Sequence, residues 1–285
     1  MTLIDICFDP AGTTELASSR IRAWRIAKGL RSMGLAARVG GEPGRTIHVF
    51  QKRLDEQRLA AATKAGAITV FDLDDNILLP EHGQRLQTLA FMNLIEVVTV
   101  GSQVLLDSVS QIHPRVRLVE NPVDIAADAP LRLPRPWEEA IGWFGSPENR
   151  AALDALHLIV PVVTITRGGH VPWKLDSIDE VLTMLDLALL PVLPGSWNEA
   201  KNANRLLKCL ALGVPVLAAD THEHRRVLQE FGLPGIMLID GDGPAWDRRI
   251  KEIGAGHERI AAAVLDAAPL VRERYGADRI AGEWL

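Results

Sequence analysis

Lys201, Arg205 and Lys208 stand four and then three residues apart. The apolar residues around them, Ala203, Leu206, Leu207, Leu210 and Ala211, recur at helical spacing, so the three cations are expected on one face of a single helix. Like charges stacked this way repel by roughly a few tenths of a kcal/mol per pair, and the first two also oppose the positive end of the helix dipole. An anion removes the conflict. At ~4 Å and an effective dielectric of ~20, each contact with a phosphate charge is attractive by roughly 4 kcal/mol before desolvation. The plain alternative is a solvated basic face. Arg20, Arg22 and Arg25 crowd the start of an earlier helix in the same way; Arg20 is best placed to reach an anion at the loop containing Gly12, and surface ion pairs account for the other two. The run Phe144-Gly145-Ser146-Pro147-Glu148-Asn149 follows an apolar strand and lets a ligand approach bare backbone at Gly145, with a helix N-terminus beyond. Asp72, Asp74 and Asp75 close a further apolar run, where aspartates can cap the next turn.

Other chemistries are poorly served. His222 and His224 form the one close histidine pair, with no third ligand at recognisable spacing, so an exposed or capping role is expected and no metal site is assigned. Cys7 and Cys209 are far apart and each lies in an apolar run, which fits neither a disulfide framework nor a cysteine zinc site and suggests a cytoplasmic setting. No Gly-x-Ser-x-Gly elbow, Walker A loop or Gly-x-Gly-x-x-Gly fingerprint occurs. A formal charge of −5 gives no sign of nucleic-acid binding. Asp5 and Asp9 interrupt any export signal, and the stretch from Leu206 to Ala219 is too short and too broken to span a bilayer. A soluble protein is expected, with peripheral membrane contact left open.

The elements that must position these residues alternate. Strands are expected at Leu3–Phe8, Ala36–Val39, Thr46–Phe50, Ala67–Phe71, Val97–Val100 and Val116–Val119, and again at Ala140–Phe144, Val162–Ile165, Leu187–Val192, Val214–Ala218 and Gly235–Ile239. The first helix begins at Ser18 or Ser19, which can cap it, and stops at Gly34. Continuous Val/Ile/Leu runs separated by helices indicate parallel sheets covered on both faces. With 285 residues and a proline-rich break, the expectation is an α/β protein of two Rossmann-like domains facing each other across a cleft. Residues 1–124 are expected to form the N-terminal domain, 125–136 a linker, 137–256 the C-terminal domain, and 257–285 a helical segment packed outside.

The block Asn198–Asp220, NEAKNANRLLKCLALGVPVLAAD, resembles the sugar-nucleotide-binding segment of family 4 glycosyltransferases of the GT-B fold. SSRIRAWRIAKGLRSMG, VTVGSQVLLDSV, VENPVD and IGWFGSPEN agree in order. The resemblance implies transfer of a sugar from a nucleotide-sugar donor to an acceptor (a glycan, a lipid-linked or a small molecule), with retention, no cofactor and no essential metal. It implies donor contacts from Gly145, Ser146, Lys201, Arg205 and Lys208 and acceptor-side chemistry from Asp74 and Asp75, with Gly12, Arg20, Asp72 and Glu199 as further cleft candidates. Aligned on Gly213-Val214-Pro215, the two glutamates of that family are replaced by Ala200 and Lys208, and Glu199 is one helical step, about 100°, from the first. A non-catalytic nucleotide-sugar-binding protein of the same fold is the alternative. FDLDD, from Phe71 to Asp75, also resembles the first motif of haloacid-dehalogenase-type phosphatases, which implies Asp72 as nucleophile and Asp74 as proton carrier around magnesium; later motifs of that family are missing.

Overall fold

The computed structural model describes residues 5–41 and 47–285; Leu3, Ile4 and Thr46, assigned above to strands, lie outside the described residues. Two compact units emerge. The first comprises Met1–Pro122, Gly195–Asn202 and Arg274–Leu285, the second Val123–Pro194 and Ala203–Glu273. Each is built on its own parallel sheet, as expected of two Rossmann-like domains.

In the first unit the strands are β1 (Asp5–Asp9), β2 (Ala36–Val39), β3 (Ile47–Gln51), β4 (Ile68–Leu73), β5 (Val97–Val100) and β6 (Val116–Leu118). They pair in the order β2-β1-β3-β4-β5-β6. The order reverses between β1 and β3, and their carboxyl ends are the place where such sheets bind ligands. Phe8, Phe50, Phe71 and Val98 are fully buried, because helices cover both faces of a parallel sheet. The first helical run, 17–32, contains a π-helical stretch, Arg20–Arg25, and Gly34 follows it at φ +81°, a conformation that glycine adopts without penalty. Neither serine caps it. Ser19 is buried, where its Oγ accepts from Gly12 N (3.0 Å) and lies 3.1 Å from Gln51 Oε1. The final helix, Ala277–Gly282, packs on Ile26–Ser32; a Cβ on Gly29 would come within 2.7 Å of the Ala277 carbonyl oxygen.

The second unit holds β7 (Ile141–Phe144), β8 (Val163–Ile165), β9 (Leu187–Leu190), β10 (Val216–Ala219) and β11 (Leu238–Ile239), in the order β11-β10-β9-β7-β8. Its reversal falls between β7 and β9. The stretch expected as a free linker is fastened to this unit: Arg132 Nε donates to Leu185 O (2.9 Å), Arg272 Nη2 to Ala129 O (3.0 Å), and Ala126 N to Asp179 Oδ2 (2.7 Å). The expected C-terminal segment is divided, its first helix, His257–Arg274, belonging almost wholly to the second unit and its last residues to the first.

One polar contact stands out in the first unit. Arg22, 1% exposed, was expected to make a surface ion pair; it is instead buried against Asp72, 0% exposed. Its Nε donates to Asp72 Oδ2 at 2.9 Å, Nη2 to Asp72 Oδ1, and Nη1 to Val119 O (2.5 Å) and Asn121 Oδ1 (2.6 Å), while Thr99 Oγ1 donates to Asp72 Oδ1 at 2.6 Å. Removing one partner strands a buried charge. Asp72→Asn is therefore expected to lower stability by about 3 kcal/mol in urea denaturation, and Arg22→Met combined with Asp72→Leu to cost less than the sum of the single changes; a surface-like change of a few tenths would contradict the burial.

Candidate functional site

In the second unit the chemistry gathers at the carboxyl ends of β7 and β9. Gly145 follows β7, and a Cβ there would lie 3.1 Å from Trp143 Cζ2 and 3.5 Å from Arg205 Nη1. A side chain would fill the space beside the guanidinium. Ser146 precedes the 3-10 turn Pro147–Arg150, and its Oγ accepts from Asn149 Nδ2 at 2.8 Å. Arg205 is half-buried in the first turn of the helix Asn204–Ala211 and donates to Phe144 O at 3.3 Å. Among the described residues no carboxylate pairs with it, and burial holds its affinity for a proton below the ordinary value. The helix start has Ala203 at the N-cap, no side-chain cap and no acidic residue in the first turn. A helix N-terminus and a guanidinium without a carboxylate partner are features that suit an anion.

The three-cation helix face does not exist. The helix begins at Asn204; Ser196–Glu199 form a separate turn, and Lys201 lies before the break, in the segment that belongs to the first unit. Ala200 is fully buried in that unit's core, its carbonyl accepting from Ser102 Oγ at 2.6 Å, and Glu199 is exposed. The helical spacing of the apolar residues is real on either side of the break, but Ala200 is drawn into a different core. Lys208 is buried, donating to Asp179 and to Asp124 O (2.5 Å). Its charge is spent within the protein, on holding the 123–126 chain in place. His224, expected to be exposed or capping, is buried; its Nδ1 lies 2.8 Å from Ala219 O, and burial, aided by the charge of Arg205, pushes its pKa down to about 4. It is a neutral imidazole at pH 7.

In the first unit, Gln51 spans the β1/β3 reversal, its Oε1 accepting from Ala11 N (2.9 Å). Arg20 is buried, donating to Thr14 O at 2.7 Å, so it braces the loop that holds Gly12. Lys52, which spacing and motif did not flag, follows β3 at φ +65°, a conformation that costs a side chain about 1 kcal/mol and is kept only where surroundings enforce it. Its amide donates to Asp72 O at 2.8 Å, and its ammonium pairs with Asp75 and lies 4.0 Å from Asp74 Oδ1. Lys52, Arg53 and Leu54, with Gln84, Gln87 and Thr88, line a recess of about 110 Å³.

The three aspartates have separate fates. Asp72 has both oxygens occupied by Arg22 and Thr99, which removes it as a nucleophile. Asp75 is held by Lys52. Asp74 is 8% exposed, and its Oδ1 has no hydrogen-bond partner. Burial pushes its pKa up to about 6, with Lys52 opposing and Asp75 and Asp72 adding to the shift. Among the described residues, no three His, Cys, Asp or Glu side chains are grouped to hold a metal, and no helix is long and apolar enough to cross a membrane.

No family model matches the chain, and no curated protein matches it by sequence. Solved structures do. HepE of Anabaena in complex with UDP and glucose is 15% identical over 99% of this chain and 98% of that one, with a TM-score of 0.67. T4 phage β-glucosyltransferase is 14% identical over 99% and 98%, with a TM-score of 0.63. WaaG, a glycosyltransferase involved in lipopolysaccharide biosynthesis, is 12% identical over 99% and 98%, also at 0.63. At these identities the likeness is one of fold, and the fold of this chain is the two-domain α/β architecture of GT-B glycosyltransferases.

Proposed function

We propose that the protein is a glycosyltransferase that takes a sugar from a nucleotide-sugar donor, in the manner of family 4. The observation that carries this reading is Arg205: a half-buried guanidinium without a carboxylate, beside Gly145 and an uncapped helix start, at the strand-order reversal of the second sheet. A diphosphate has the charge and the oxygen acceptors to satisfy all three features. Gly145, Ser146 and Arg205 hold the donor phosphates, and Lys208 is left out because Asp179 neutralises it. The presence of UDP or UDP-glucose in HepE supports the same ligand class. On the first unit, Asp74 handles the acceptor hydroxyl and Asp75 positions Lys52 beside it. Arg205 supplies the charge that a metal would otherwise bring to the departing diphosphate, so turnover is expected to survive a chelator. The phosphatase alternative loses support with Asp72 closed off.

Calorimetry with UDP, GDP and ADP, followed by a donor-hydrolysis assay, tests the reading. Arg205→Ala is expected to weaken diphosphate binding by about 10- to 100-fold, the worth of a charge-assisted contact, whereas Lys208→Met leaves affinity within about threefold and lowers stability. Equal loss of affinity in both variants would sink the phosphate assignment, and binding without turnover of any donor would favour the non-catalytic alternative.

A second expectation concerns the cost of Asp74. A carboxyl whose folded pKa, about 6, stands above its unfolded value of 3.8 binds protons preferentially in the folded state, so stability falls as pH rises from the unfolded pKa to the folded one and stays lower above it. Asp74→Asn is expected to be more stable than the parent at pH 8, by up to about 3 kcal/mol, with the difference fading as pH falls from about 6 to about 4. Thermal unfolding across this range checks it; equal stability at all pH values would show that Asp74 is not under strain.

A further inference from the structure

Lys52, Arg53 and Leu54 on one side and Gln84, Gln87 and Thr88 on the other line a recess of about 110 Å³, several times what one water needs. All six residues belong to the first unit. The first wall follows β3, at the carboxyl end of a strand beside the order reversal, and is fastened to the sheet: Lys52 N donates to Asp72 O and Arg53 N to Gln51 O, both at 2.8 Å. The second wall is Gln84 and the helix that follows it, Arg85–Phe91. Gln84, Gln87 and Thr88 stand three and then one residue apart and so share one face.

The polar groups of this recess are open. None of its six lining residues is acidic. Lys52 is balanced by Asp75, which does not line the recess; Arg53 makes no ion pair or side-chain hydrogen bond among the described residues, and its charge works against that of Lys52. Thr88 is only 4% exposed, yet its hydroxyl has no partner among the described residues and is not sealed from solvent. A hydroxyl in a helix commonly folds back onto the preceding turn, as Thr63 Oγ1 does on Leu59 O (2.9 Å) and Ser108 Oγ on Val104 O (2.8 Å). Thr88 instead leaves Gln84 O to its backbone amide alone, at 2.9 Å. Leu54, buried in the core of the unit, gives the same recess an apolar surface.

We propose that this recess binds a sugar that carries an anionic group, a carboxylate or a phosphate. Arg53 takes the anion, for which its planar fork of N–H donors is suited. The amides of Gln84 and Gln87 and the hydroxyl of Thr88 each both donate and accept, which suits ring hydroxyls, and Leu54 meets the C–H face of the ring. A plain anion would need only the cations; two amides and an unengaged buried hydroxyl beside them are what assign a sugar. A neutral sugar would leave Arg53 without a counter-charge. The site is complete within the first unit, goes beyond the donor assignment in the second, and stands or falls without it.

Amide NMR of the full chain, titrated with methyl β-glucuronide, glucose 6-phosphate, methyl β-glucoside and inorganic phosphate, tests the proposal. The two anionic sugars are expected to move the amides of 52–54 and 84–88 with dissociation constants on the order of a millimolar, the scale of a single ring, and the tighter of the two names the anion. The neutral glucoside and inorganic phosphate are each expected to bind about tenfold more weakly, the worth of one charge-assisted contact. Arg53→Met, a change at an exposed residue, should bring the anionic sugars to the level of the glucoside. Thr88→Val, which keeps the shape of the side chain, should weaken the sugars by about fivefold and leave phosphate unchanged. Equal affinity for the glucuronide, glucose 6-phosphate and the glucoside, or anionic binding unmoved in Arg53→Met, would overturn the anion assignment. Phosphate binding as tight as that of glucose 6-phosphate would overturn the sugar, and unmoved amides at 52–54 and 84–88 with every probe would overturn the site. None of these outcomes bears on the donor site, which titration with UDP reads separately.

Discussion

The buried pair between Arg22 and Asp72 is the interaction on which the first unit depends. A guanidinium and a carboxylate withdrawn from water each lose several kcal/mol of solvation, and a bare pair seldom recovers that loss. Here recovery comes from the other contacts: both carboxylate oxygens are taken, and the guanidinium also reaches Val119 O and Asn121. The ends of β4, β5 and β6 are thus tied to the helical run 17–32 at one point. The π-helical stretch that contains Arg22 widens the helix there, a distortion often found at functional positions. Because Asp72 is fixed, the backbone leading to Asp74 and Asp75 is fixed as well. The negative charge of Asp72 also adds to the difficulty of ionising Asp74, and the charge of Arg22 opposes it.

The helix Asn204–Ala211 shows how burial and partners decide what a cation does. Arg205 and Lys208 are three residues apart on one short helix. Lys208 meets Asp179 and a backbone carbonyl, so its charge is balanced and its work is to hold the chain near Asp124. Arg205 meets a single carbonyl, Phe144 O, which cannot neutralise it. A guanidinium at the positive end of a helix dipole, without a carboxylate, is unfavourable until an anion arrives. Under the proposed reading, a donor diphosphate would relieve this repulsion on binding.

Asp74 and Lys52 express the same economy in the first unit. Lys52 is held in a left-handed conformation, and Asp74 is held ionised with difficulty. Each weakens the fold slightly.

The amino-acid order by itself determined the alternation of strands and helices and the two parallel sheets, because strands buried on both faces must be written as Val/Ile/Leu runs. It also singled out Gly145, which lacks a side chain after a strand, and Arg205, read as one of three cations on a single helix face. What only the tertiary structure decided was which polar groups meet. Arg22 finds Asp72 across 50 residues and Lys208 finds Asp179 across 29, separations at which no periodicity carries information. The break before Asn204 was hidden for the same reason: the local pattern permits a continuous helix, and only the burial of Ala200 in the first unit's core, with Trp197 packed against it, overrides it. Local propensity is worth tenths of a kcal/mol per residue, while burying one large apolar side chain is worth about 2, so the distant core wins.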